Sequence, residues 1–237
     1  MKKVVVLAVA AVLTANYAMG QFSIGGKETY IGVRAGLNFN KFGGSDIYNY
    51  LGALGSVYGN LDVKMTFKPG IQLGAVADVA LMDGLSLQPG LLFSQMGSKI
   101  TTYGEASLMG ATFDYESVVF QTLNYVQIPV QFQYRNHYGS NVLWLQAGPY
   151  LGFGLGTKYK TKVTFNGEKT TETMSGSFDD ANLKMVDLGF GLGIGLEFSG
   201  NIQAGVVYNL GIANLIDDGS LKNKGLSLTV TYMFNKK

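Results

Sequence analysis

The sequence predicts an all-β fold: an eight-stranded antiparallel up-and-down transmembrane β-barrel. Three observations carry that expectation. Large apolar residues recur at every second position through eight stretches. The residues between them are small or amide-bearing and seldom charged. The connections alternate short and long. Period two is the period of a strand, whose successive side chains point to opposite faces.

Residues 1–20 read as a secretory signal, leaving 21–237 as one barrel domain. Lys2 and Lys3 form a basic start, and Val4 to Leu13 an apolar core shorter than the roughly 20 residues of a spanning helix. Ala18-Met19-Gly20 is a small-x-small cleavage site.

The first strand carries Ile31, Val33, Ala35, Leu37 and Phe39 on one face. The second carries Ile71 to Leu81 at odd positions, and the third Leu85, Leu87, Pro89, Leu91 and Phe93. The fourth carries Val126, Ile128, Val130, Phe132 and Tyr134, and the fifth Leu143 to Leu155 at odd positions. The sixth, V-D-L-G-F-G-L-G-I-G-L-E-F over 186–198, sets large apolar residues against a row of glycines. The seventh carries Ile202 to Ile212 and the eighth Leu226 to Phe234, at even positions. The glycine alternation at 152–156 and 189–195 is no phosphate loop, because strand periodicity runs through it and no helix follows.

Met82-Asp83-Gly84, 136–141 and 199–201 are short, turn-like connections. Segments 40–70, 97–118, 157–182 and 213–225 are long. Outer-membrane barrels have short periplasmic turns and longer outer loops, and an even strand count puts both termini at the short-turn rim.

The second face decides which solvent the apolar face meets. A soluble lipocalin-type barrel turns apolar residues inward and covers its exterior with Lys and Glu. Here the other face carries Gln72, Gln88, Gln131, Gln133, Gln146, Gln203, Asn209 and many glycines. That set suits the narrow lumen of an eight-stranded barrel. The apolar rows contain no charge, as expected where a Lys or Arg at mid-depth costs about 2–4 kcal/mol. Tyr30, Tyr125, Tyr134, Phe153, Phe198, Tyr232 and Phe234 are expected in interfacial girdles. Pro89, Pro129 and Pro149 fall within strands, where local bulges or missing rungs are expected.

Composition excludes several functions. Charged residues are 14% of the chain, against about 25% in a typical soluble domain. A net charge of +2 gives no reason to expect a nucleic-acid partner. With no Cys there is no disulfide, thiolate metal site or lipid-anchor cysteine, and the single His137 is read as a solvated turn residue. No acid–base or nucleophile constellation appears, so neither an enzyme nor a cofactor is expected.

The segments 31–39, 84–97 and 123–134 (I-G-V-R-A-G-L-N-F, G-L-S-L-Q-P-G-L-L-F-S-Q-M-G, L-N-Y-V-Q-I-P-V-Q-F-Q-Y) resemble the PorT-like outer-membrane β-barrel family of Bacteroidota. A-G-P-Y-L-G-F-G-L at 147–155, V-V-Y-N-L-G-I-A-N-L at 206–215 and L-S-L-T-V-T-Y-M-F at 226–234 extend the resemblance over nearly the whole mature chain. It implies in-strand prolines that the barrel tolerates, and a link to type IX protein secretion. Function does not follow from fold alone.

Three sets of residues are candidate sites. Arg34, Asp78, Asp187 and Glu197 fall on the lumen face and are expected to form a buried charge network that plugs the barrel. Lys158, Lys160 and Lys162 lie on a hairpin announced by Asn166-Gly167, a contact surface for a protein partner or an anionic glycan. Tyr48, Tyr50 and Tyr58 in the first long loop are a second contact surface. The expected protein is a monomeric outer-membrane barrel in contact with lipid, displaying four loops to envelope or secretion proteins. A soluble lipophile carrier and a small pore are the alternatives.

Overall fold

Alternation becomes pairing in the computed structural model, which describes residues 22–24, 27–44, 61–108, 111–138, 141–217 and 219–234. The signal segment and Tyr48, Tyr50 and Tyr58 lie outside the described residues. Among the described residues the strands are β1 (Phe22–Ile24), β2 (Lys27–Gly43), β3 (Leu61–Thr66), β4 (Lys68–Met82), β5 (Leu85–Leu108) and β6 (Ala111–Tyr138). They continue with β7 (Asn141–Phe165), β8 (Glu168–Gly176), β9 (Val186–Phe198), β10 (Ile202–Gly211) and β11 (Lys222–Met233).

Eight of these close a ring in the order β2-β11-β10-β9-β7-β6-β5-β4, with β4 returning to β2 and every pair antiparallel. The eight stretches read from the sequence are these eight strands. Closure leaves no backbone edge unpaired within the ring, the condition that hydrocarbon imposes. Turn chemistry sets the short connections: Gly84 (φ 72°), Ser199 (φ 51°) and Gly200 (φ 72°) adopt left-handed conformations. The first described residues of β2 and the end of β11 share that rim, where the Phe234 amide donates to the Ile31 carbonyl at 2.7 Å.

The apolar rows face outward. Leu192 is 54% exposed and Leu228 46%, while Asp187 is 1% and Thr229 6% exposed. A lipocalin-like arrangement, with apolar rows inside, is thereby overturned. Tyr134, Phe198 and Tyr232 stand outward near the short-turn rim. Tyr125 does not join a girdle: it is fully buried, with its ring 5.2 Å from that of Phe178. Strand parity already assigned it to the inner face, since Val126 and Ile128 point out.

The prolines remove rungs without shifting register. Pairing of β5 with β6 lapses between Pro89↔Val130 and Leu92↔Gln127. Pairing of β6 with β7 lapses between Pro129↔Tyr150 and Phe132↔Ala147. A proline has no N–H to donate, so the ladder opens beside it while the side chains keep their faces. True irregularities fall elsewhere, at Ala80/Met82 and at Asn124/Tyr125. At the latter, consecutive residues Asn124 and Tyr125 oppose Gly156 and Gly154, so Leu155 is an extra residue in β7.

The long-loop side differs from the expected set of four loops. Segment 97–118 is not a loop: β5 and β6 run on as a paired ribbon from Gly97↔Thr122 to Leu108↔Ala111. With the upper part of β7, β8 and β3 they make a five-stranded sheet, β3-β5-β6-β7-β8, beyond the barrel. The expected hairpin at 157–182 is its β7–β8 edge, turning at Asn166 (φ 49°) and Gly167 (φ 86°).

Candidate functional site

The glycine rows of the lumen are sockets for aromatic rings. Trp144 pairs across the ladder with Gly195 and is 2% exposed. A Cβ on either Gly195 or Gly205 would lie 2.3 Å from its ring. Tyr150 pairs with Gly189, where a Cβ would come within 2.4 Å of the phenol. Phe178, from the segment after β8, covers Gly154 in the same way at 2.4 Å. A ring over a bare backbone fills a lumen too narrow for two side chains.

Near the short-turn rim the lumen holds a polar cluster centred on Arg135. Its guanidinium is 2.7 Å from Asp78 Oδ2 and 3.0 Å from Glu197 Oε2, and donates to Ser86 Oγ at 2.9 Å. It also donates to Gln133 Oε1. Gln203 Nε2 donates to Glu197 Oε2 at 2.8 Å and to Gln133 Oε1 at 3.2 Å. Gln88 Nε2 donates to Gln203 Oε1 at 3.3 Å, and Arg34 donates to Gln88 and, at 2.9 Å, to Thr231 Oγ1. Arg34 is thus joined to Glu197 through the amides of Gln88 and Gln203.

Sequence reasoning missed Arg135, the hub of this cluster. Its signal was present: Gln131 and Gln133 face inward, so Arg135 does too, but it adjoins a segment read as a solvated turn. Asp187 stands apart from the cluster. Its Oδ2 accepts from Asn223 Nδ2 at 3.0 Å and from the Tyr150 hydroxyl at 3.4 Å. In place of one network of four charges there is a rim cluster with Arg34, Asp78 and Glu197, and a separate Asp187 group among tyrosines.

Above Asp187 lies an apolar cluster. Phe42, Met96, Leu123, Tyr125, Phe178, Leu183 and Leu215 form one buried cluster. Segment 177–185 is tied to the segment after β10 by the Lys184 amide donating to the Leu215 carbonyl at 2.8 Å. Ser177 and Asp180 close a tight turn there, with the Ser177 amide and hydroxyl both donating to Asp180 Oδ2 at 2.8 Å. Those bonds to the charged form hold the Asp180 carboxyl below its ordinary range.

Lys158, Lys160 and Lys162 are exposed on one face of the sheet beyond the barrel. His137 is exposed near the short-turn rim, paired with Val142. Among the described residues no group of His, Cys, Asp and Glu is placed to hold a metal.

A family profile described as "Outer membrane protein beta-barrel domain" matches residues 15–217. No curated protein matches the chain. Among solved structures it is similar to Neisserial surface protein A, at 15% identity over 86% of this chain and 97% of that one, TM-score 0.38. It is similar to Ail, the attachment invasion locus protein of Yersinia pestis, at 12% identity over 86% and 98%, TM-score 0.35. The translocator domain of the autotransporter NalP from Neisseria meningitidis follows at 9% identity over 95% and 93%, TM-score 0.25.

Proposed function

The chain belongs to the outer membrane protein beta-barrel domain family, and from that premise we propose that it is a sealed, non-catalytic barrel that acts through the sheet it raises on the long-loop side. The outer membrane is its site. The lumen is blocked twice, by the Arg135 cluster at one end and by the apolar cluster around Phe178 at the other. One observation carries this reading: the ring sockets of Gly189, Gly195 and Gly205 are filled by Tyr150 and Trp144, leaving the axis to side chains. A filled lumen is fixed scaffolding, and the surface left to meet partners is the five-stranded sheet.

Folded protein in a planar bilayer tests the seal. No steady current is expected, and stable channels would make it a pore instead. The resemblance to PorT-like barrels adds a place beside type IX secretion, and the residues of 1–20 add an N-terminal signal removed after residue 20. Loss of secreted cargo in a deletion strain, and N-terminal sequencing of the mature protein, are the respective tests.

A further inference from the structure

The sheet beyond the barrel has two unlike faces, and every lysine in its strands lies on one of them. Lys64 of β3, Lys99 of β5, Lys158, Lys160 and Lys162 of β7 and Lys169 of β8 share a face by strand register. Contacts agree: the ammonium groups of Lys99 and Lys162 each sit 5.7 Å from the ring centre of Phe120 on the strand between them. The opposite face carries Ile100, Val119, Val163 and Phe165 and no lysine. Among the described residues Lys64 alone of the six is ion-paired, to Asp62 at 3.2 Å.

Register also fixes where this face points. The last apolar row around this side of the barrel is Phe93, Val126 and Phe153. Counting two residues per row along β6, the outward face continues through Asn124, Thr122 and Phe120. Lys158 lies beside Thr122, and Lys99 and Lys160 flank Phe120. The basic face is therefore the upward continuation of the lipid-facing wall. The extra residue Leu155 makes it so, since unbroken alternation from Leu151 and Phe153 would turn Lys158, Lys160 and Lys162 to the lumen side.

Height selects the partner. With about 3.3 Å per residue and a strand tilt of about 40°, Lys158 stands about 10 Å above the last apolar row, and Lys64 and Lys162 about 20 Å. The headgroup layer of an ordinary phospholipid leaflet is only about 5–8 Å deep. Acidic residues appear one row further out, where Asp62 and Glu116 flank Tyr103. We propose that this face binds the phosphorylated core sugars of the glycolipid leaflet around the barrel, holding the sheet against the saccharide layer. The proposal rests on the reading of an embedded barrel that acts through its outer sheet.

The test uses folded full-length protein in detergent, its fold checked by heat-modifiable migration. It is titrated with lipooligosaccharide bearing a phosphorylated core, the same lipid after phosphatase, phosphatidylglycerol, and the free phosphorylated core oligosaccharide. Intact lipooligosaccharide should be retained through size exclusion. Phosphatase treatment, or the variant K99Q/K158Q/K160Q/K162Q, should lower retention at least about tenfold, while Lys27→Gln at the short-turn rim leaves it unchanged. Equal retention of phosphatidylglycerol, of the dephosphorylated lipid or by the quadruple variant would overturn the proposal. Tighter binding of the free oligosaccharide than of the lipid would place the ligand outside the membrane and overturn it too. Should the variant not fold, the phosphatase arm on the native chain decides alone. The bilayer current in the absence of glycolipid reports separately on the sealed barrel.

Discussion

Arg135 holds two buried carboxylates at once, Asp78 at 2.7 Å and Glu197 at 3.0 Å, and its own side chain is only 15% exposed. Removing it takes the guanidinium from both carboxylates inside the lumen, leaving Glu197 its bond from Gln203 Nε2. Arg135→Ala should cost about 3–5 kcal/mol, read as a lower urea midpoint of the folded, heat-modifiable form. Arg34→Ala should cost less, about 1–3 kcal/mol, because its partners Gln88 and Thr231 are neutral. Equal losses would show that Arg34 carries more of the cluster than its contacts indicate. Gly195→Ala sets a methyl against the ring of Trp144 and should cost about 1–3 kcal/mol in the same titration. Combined with Trp144→Ala, only part of that penalty should disappear, because the same methyl also meets the Ala204 carbonyl oxygen at 2.2 Å.

At the scale of elements, β7 does two jobs either side of Leu155. Below it the strand is barrel wall, with Leu151 and Phe153 outward. Above it the same strand is the basic edge of the outer sheet. Deleting Leu155 should remove the bulge and leave simple alternation, with Gly156 still opposite Asn124 and Lys158, Lys160 and Lys162 still on the outward face. The expected result is a barrel that stays heat-modifiable and retains lipooligosaccharide as the parent does. Retention lost as in the quadruple variant would mean that Leu155 is a paired residue and not the extra one. The prolines are milder interruptions: they open the β5–β6–β7 ladder without moving register, so the inner amide row Gln127, Gln131 and Gln133 stays in phase.

For the molecule as a whole, the ring closes on itself and the lumen is filled by rings over glycines. Replacing Trp144, Tyr150 and Phe178 together by alanine leaves those sockets bare. With Arg135→Ala added to open the block at the short-turn rim, such a variant should pass measurable current in planar bilayers where the parent passes none. Current already present in the triple variant would show that the Arg135 cluster does not block the lumen by itself.

Eight strands, their inner and outer faces, the short-turn rim and the Asn166-Gly167 hairpin were all legible from the chain. Each depends on local rules: period two, left-handed turn residues, and the cost of charge in hydrocarbon. The lumen charges Arg34, Asp78, Asp187 and Glu197 were legible as inward residues for the same reason. Their partners were not. That Asp78 meets Arg135 across 57 residues, that Trp144 lies over Gly195, and that 97–118 is ribbon rather than loop follow only once the ring has brought distant strands side by side. The direction of the lysine face lay furthest from view, because one extra residue in β7 inverts the parity that sequence alternation would carry forward. Period two is a property of each strand alone and survives in the sequence; register is a relation between strands, and only tertiary pairing decides it.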